Sequence, residues 1–319
     1  MNAPAREYTR LEGFAFFVVM IGVQLSSELF SQWGTYFYSP SADTGRTIYV
    51  AIGIVAFMFV IGRAIDTVVD PVIGMWSDRA AGHRRLWGPG GRRRPFIFWG
   101  SILMTFTLIG FWFPPVSGAS TSNFIFGTAL ISLHWAVFSL AYIPLLAMAP
   151  EVARSGDARV RLGTWIAAGM AVGLALAGVL PGVLIDALDP ARSGGPGQYS
   201  AAGYQRVAII FAAVSLACFQ FFVWTVRERP VARGEERVEP ALVEMLAAFR
   251  LPLFRLYFAM FFLYYAGVLA VQRVLPYWAE LGLDGDESTV SVLGLPFIVT
   301  CLGGALVSRI LNRWIDLKW

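Results

Sequence analysis

The stretch RAIDTVVDPVIGMWSDRAAGHRR, from Arg63 to Arg85, sets two aspartates, Asp66 and Asp70, four residues apart inside an apolar run. On a helix, residues at that spacing share a face, with Cβ atoms about 5–6 Å apart. Two unpaired carboxylates so close repel each other, so one must hold a proton or both must share a cation. Arg63 precedes Asp66 by three residues and Asp70 by seven, which puts it on the same stripe as a charge partner. Pro71 has no N–H, so the carbonyl of Thr67 loses its helical donor. Carboxylates beside a free carbonyl make the oxygen-rich surroundings that hard cations prefer. Asp66, Asp70 and Thr67 are therefore expected to bind a small cation or a proton. The plainer alternative is a salt bridge that only joins helices.

A second polar stripe, Gln24, Glu28 and Gln32, recurs every fourth residue in another apolar run, and His134 and Tyr142 lie in a third. A charge in the middle of a bilayer costs about 2.5–3.5 kcal/mol on insertion scales, so such stripes should face a cavity or another helix. Gln24, Glu28, His134 and Tyr142 are expected to meet a solute. His134 also fits plain helix packing.

The elements that hold these residues follow from composition. The chain is 57% hydrophobic and 14% charged, with a mean hydropathy of +0.61, far from the roughly 25% charged content of soluble domains. Eight segments are apolar and long enough to span a bilayer: 13–38, 47–77, 96–114, 122–149, 161–185, 204–226, 252–279 and 289–312. Alternating barrel segments are absent. The first span is too long, and too polar at Gln24 and Glu28, for a cleaved signal, so it reads as retained. The fold class is all-α polytopic membrane protein.

Arginines crowd alternate connections, six of them between Arg79 and Arg94, while the other loops hold Arg46 and Arg192. By the positive-inside rule the N-terminus is cytoplasmic, and the expected location is the cell (inner) membrane. The net charge of +4 then reports topology, and no nucleic-acid partner follows from it. Cys218 and Cys301 fall within spans as small apolar residues, with no disulfide or metal site expected.

The expected domains are a six-helix bundle over 1–226, a cytoplasmic linker over 227–250 and a partial second bundle over 251–319. The linker is charged, then places Leu242, Met245, Leu246 and Phe249 at amphipathic helical spacing. Six helices, a linker and further helices is the plan of transporters built from two halves. Gly169, Gly173 and Gly178 read as close-packing positions.

Directly after Asp70 the residues Gly74, Asp78, Arg79, Gly82, Arg84 and Arg85 fit G-x3-D-R-x2-G-x-[RK]-[RK]. Asp78 ends a helix, where the dipole disfavours an anion, so a nearby cation should compensate it. This pattern resembles the loop motif of the major facilitator superfamily, and implies a gating loop. Arg63, Asp66, Asp70-Pro71, Gly74 and GRRRPFIF resemble, more narrowly, the glycoside–pentoside–hexuronide:cation symporters of the melibiose-permease type. YIPLLAMAPEVARSGDARVRLGTW and LVEMLAAFRLPLFRLYF agree, and the likeness runs through essentially the whole chain.

The resemblance implies two six-helix bundles, alternating access and coupling to Na⁺, Li⁺ or H⁺. Asp66 and Asp70 match the family's cation-binding carboxylates, and Ser139 falls where it has a hydroxyl ligand. An asparagine ligand is replaced by Val69, which favours H⁺ over Na⁺. The sugar-binding aspartate and tryptophan of helix four are Tyr142 and Leu146 here, the helix-one aspartate matches Gln24, and an arginine of helix five is missing around Ile166.

The leading function is cation- or proton-coupled symport of a glycoside, sugar or related small solute, with no cofactor beyond the coupling ion. Partners are that solute and the lipid bilayer. Oligomeric state is not readable. The alternatives are a truncated non-transporting paralogue or fragment, and an intramembrane prenyltransferase using DTVVD. For the enzyme, the only second acidic motif, Asp186 with Asp189, falls on the opposite side. With two apolar segments after the linker, the 319-residue chain alone is expected to transport poorly.

Overall fold

A computed structural model of the chain describes residues 8–41, 45–80, 88–194, 199–229 and 247–296. They form helices α1 (Arg10–Tyr38), α2 (Ile52–Arg79), α3 (Arg94–Gly110), α4 (Thr121–Val152), α5 (Gly156–Leu188), α6 (Ala202–Thr225) and α7 (Pro252–Leu283). A further helical segment, α8, covers 287–296. Six of these, α1, α2, α4, α5, α6 and α7, are long and apolar enough to cross a membrane, while α3 is a shorter apolar helix. At 17 residues it rises about 25 Å, so its predicted span narrows. Most of the eighth predicted span lies outside the described residues, as do Gly82, Arg84, Arg85, Leu242, Met245, Leu246 and Cys301.

Local chemistry starts these helices. Thr9 and Glu12 form a reciprocal capping box on α1. Ser120 and Ser155 cap α4 and α5 with their hydroxyls. α3 has no such side chain at its own N-cap, Arg93. Instead the carboxylate of Glu228, just beyond α6, accepts the N–H groups of Arg92, Arg93 and Arg94 at 2.6 Å each.

α1 packs against α5, α6 and α7, α2 against α4, and α3 against α4 and α6. Two of the predicted close-packing glycines do that work. A Cβ on Gly169 would sit 2.3 Å from the carbonyl oxygen of Phe17, and one on Gly173 2.9 Å from Gln24 and Ile21. Gly178 corrects the expectation, because a Cβ there would meet nothing within 4 Å. A Cβ on Gly74, in the loop motif, would make only an ordinary contact, with Ile143 at 3.9 Å.

Two charge clusters mark opposite ends of the helix assembly. At the first, buried Arg93 pairs with Asp78 and donates to Glu151 at 2.7 Å and to the carbonyl of Ala147 at 2.5 Å. Arg92 reaches Glu151 at 2.8 Å, and Arg229 reaches Glu12 at 3.1 Å. The compensating cation expected for Asp78 is thus Arg93. Arg79 stays exposed.

At the second, Arg46, between α1 and α2, pairs with buried Glu287, and Glu280 lies 3.6 Å away. Arg192, in the 3₁₀ turn after α5, pairs with Asp186 and with Asp286 at 3.1 Å. Burial alone would raise the Asp286 carboxyl, but donors on Ser288 and Thr289, together with Arg192, hold it below its ordinary 3.8. A depressed carboxyl stabilises above its unfolded value and loses that contribution as pH falls through the folded one. Asp286→Asn should therefore cost about 0.2–1 kcal/mol at neutral pH, as for a half-exposed pair. The difference from the parent should close below about pH 3.8, read from thermal melts at each pH.

Candidate ion and solute site

α2 runs unbroken through Pro71 and presents Arg63, Asp66 and Asp70 on one stripe, as their spacing predicts. Arg63 donates to one carboxylate oxygen of Asp66 at 3.3 Å, and buried Ser139 of α4 donates to the other at 3.0 Å. The guanidinium also lies 3.5 Å from the ring centre of Trp135, a cation–π contact that fixes its plane. Asp70 is coupled electrostatically to both Asp66 and Arg63, yet its buried Oδ1 has no hydrogen-bond partner. A buried carboxylate oxygen in that condition has room for a further donor or a cation.

The other expected site residues divide. The hydroxyl of Thr67 is spent on the carbonyl of Arg63 at 2.9 Å, so its only contribution to the site would be its backbone oxygen. Glu28 accepts from Gln272 of α7 at 2.9 Å and lies within the field of Arg63. Gln24 instead packs on Gly173 of α5. His134 is fully buried, its ring 4.4 Å from Phe30 and its Nδ1 3.1 Å from the hydroxyl of Thr107. It belongs to the α1–α3–α4 interface. Tyr142 packs on Phe138 at 5.1 Å, half-buried.

α7 brings a residue the sequence reading passed over. Arg273 donates to Thr35 at 2.7 Å and lies 4.1 Å from the ring centre of Phe59. Its signal was available, since QR at 272–273 interrupts an apolar run and intramembrane charges are rarely idle. Beside it, Gln32, Gly178, Gly267, Val271, Gln272 and Leu293 line a cavity of about 350 Å³ between α1, α5, α7 and α8. Among the described residues no group of three or more His, Cys, Asp and Glu is placed to hold a metal ion. An ion at Asp66 and Asp70 would be held by two carboxylates, the Ser139 hydroxyl and the Thr67 carbonyl.

A family model described as MFS/sugar transport protein matches residues 15–315. The chain belongs to that family. It is an integral membrane protein of a transporter family, which sets the enzyme alternative aside. Among curated relatives, the isoprimeverose transporter of Lactiplantibacillus pentosus is 22% identical over 304 residues, covering 95% of this chain and 58% of that protein. Inner membrane symporter YicJ of Escherichia coli (strain K12) is 23% identical over 181 residues. Putative glycoside/cation symporter YagG of the same organism is 26% identical over 182 residues. Each of these two matches covers 56% of this chain and 36% of the relative. The chain thus spans little more than half the length of the first relative.

Proposed function

We propose that this MFS chain carries the ion-coupling half of a symporter that moves a neutral glycoside with one monovalent cation or proton. On this reading α1–α6 are the first bundle and α7–α8 open the second. Residues 227–250 are the cytoplasmic linker, and the Arg93 end faces the cytoplasm with the N-terminus. The observation that carries the proposal is the Asp66–Asp70 pair, in which Asp66 is fully bonded and Asp70 is left with an orphaned oxygen.

Charge counting supports it. The midmembrane acids are Glu28, Asp66 and Asp70, and the cations are Arg63 and Arg273, so the described belt sums to one negative charge. One bound Na⁺ or H⁺ neutralises it and leaves no net charge for the solute to match. The names of the relatives, which include a glycoside/cation symporter and an isoprimeverose transporter, support the same class. Tyr142 and Leu146, where the melibiose type binds sugar, support a solute site unlike that type's.

Thermal stability in Na⁺, Li⁺ or K⁺ between pH 5 and 8, for the parent, Asp66→Asn and Asp70→Asn, tests the reading. A ligand that binds only the folded state raises stability with its concentration. Stabilisation by Na⁺, lost in both variants, is the outcome expected of a cation site. Stabilisation that follows pH alone, and vanishes in both variants, assigns a proton. A melt indifferent to ion and pH in all three proteins would reduce the pair to a structural salt bridge and overturn the coupling.

A further inference from the structure

Glycine inside a helix lowers its stability relative to alanine, and close approach of a neighbouring helix is the usual reason to keep one in a membrane span. Gly178 of α5 and Gly267 of α7 have no such reason, because a Cβ on either would meet nothing within 4 Å. Both line the cavity of about 350 Å³ between α1, α5, α7 and α8. So does Gly294 of α8, where a Cβ would lie 3.3 Å from the carbonyl oxygen of Gly178. What Gly178 and Gly267 preserve is the width of that cavity.

The remaining lining says what fits. Leu174, Val268, Val271, Leu275 and Leu293 form the walls, and Gln32 and Gln272 supply the polar groups. Among the described residues no charged or aromatic side chain lines it. A sugar ring carries several hydroxyls, each unfavourable to bury without a partner, and two amides cannot serve them all. An apolar group leaves nothing unpaired there. The volume is more than twice the roughly 150 Å³ of a dry, leucine-lined cavity that admits benzene.

Gln272 ties the cavity to the charged belt. It donates to Glu28 at 2.9 Å, and Glu28 lies within the field of Arg63. Gln32 follows Glu28 by one helical turn on α1. The polar edge of the cavity is therefore the edge nearest the belt, and the Leu and Val walls lie beyond it.

We propose that this cavity holds the apolar aglycone of the solute, which makes the substrate class a glycoside of an apolar alcohol, with Gln32 and Gln272 at the junction of its two parts. The inference rests on the glycoside reading above and names the kind of glycoside. A sugar beside the belt meets amides and charges, while its aglycone meets only aliphatic side chains. A phospholipid chain would fit the same walls, but its phosphate would need a cation, and none lines the cavity.

The test uses the full chain in phosphatidylcholine vesicles, with Cys218→Ser and Cys301→Ser. Leu293→Cys places a thiol in the cavity wall, and Val292→Cys places one on its exposed neighbour. N-phenylmaleimide and N-methylmaleimide are compared at each position, so that partition into the bilayer cancels. The phenyl-to-methyl rate ratio is expected to be roughly tenfold or more higher at Leu293→Cys, as burial of a phenyl ring predicts. Gly178→Leu with Gly267→Leu fills the cavity and should bring the two ratios together. If that pair does not accumulate folded, Gly267→Leu alone carries the comparison. Phenyl β-glucoside, β-galactoside and β-xyloside are then tried as protectants, and at least one should slow labelling where its methyl counterpart does not. Equal ratios at the two positions in a protein that melts like its parent would overturn the proposal. So would a preference that survives filling, or protection by none of the three phenyl glycosides. Protection by lysophosphatidylcholine alone would make the cavity a lipid site instead. The labelling needs no coupling ion. An unselective cavity beside an intact ion response therefore removes the aglycone site alone, and a selective cavity without an ion response removes the coupling alone.

Discussion

Glu228→Ala is expected to lower the melting temperature of the purified protein by roughly 5–10 °C, although Glu228 lies outside every predicted site. Its carboxylate accepts three consecutive N–H groups at 2.6 Å where α3 begins. These are donors a helix start leaves unsatisfied, and the positive end of the helix dipole favours the anion. Hydrogen bonds to a charged group contribute about 1.5–3 kcal/mol each. Three sharing one carboxylate are not additive, so about 3–4 kcal/mol in total is the reasonable expectation. Gly91 gives an independent check. Its φ of +142° suits glycine, and a Cβ there would fall 2.5 Å from Glu228 Oε1. Gly91→Ala should therefore reproduce much of the loss while leaving the carboxylate in the chain. Glu228→Gln, which keeps one acceptor oxygen, should fall between. A melt for Glu228→Ala within about 2 °C of the parent would show that water replaces the carboxylate at α3.

Why Glu228 was invisible in the sequence, while Asp66 and Asp70 were not, follows from the range of the signal. A helical period is local, so two acids and an arginine at spacings of three and four declare a shared face inside an apolar run. The cap on α3 joins residues 134 to 136 positions apart, and nothing in either segment names the other. Asp78 shows the same limit. Its need for a cation was legible from the helix end, but the partner is Arg93 rather than the arginines that follow it directly. Angles on a helix explain other outcomes. His134 and Ser139 are five residues apart, about 140° around α4, so the Ser139 that meets Asp66 turns His134 toward α1 and α3. Gln24, Glu28 and Gln32 fan over about 80°, enough for Gln24 to pack on α5 while Glu28 meets Gln272 of α7 and Gln32 lines the cavity. Arg273 is faint in the sequence because a single charge barely lowers the mean hydropathy of so long a helix.

Arg63→Gln and Asp66→Asn should move stability in opposite directions, and that contrast decides what the helix-two charges are for. Removing Arg63 leaves Glu28, Asp66 and Asp70 against Arg273, a surplus of two negative charges in the described belt. Losing one partner of a fully buried pair costs about 3–5 kcal/mol. The Arg63 side chain is 45% accessible, so screening reduces the expected cost to about 1–3 kcal/mol. Asp66→Asn instead removes the surplus charge and keeps an oxygen for Ser139, so it should be neutral or mildly stabilising while abolishing any ion response. Arg63→Gln with Asp66→Asn should recover most of the loss of Arg63→Gln, giving a coupling of about 1–2 kcal/mol in a double-mutant cycle. A purely structural pair within α2 predicts otherwise: each single change would cost alike, because each breaks the same 3.3 Å contact. Equal losses would therefore return Asp66 to structure. Opposite signs would mean that the belt is built one charge short, and that the missing charge arrives with the coupling ion.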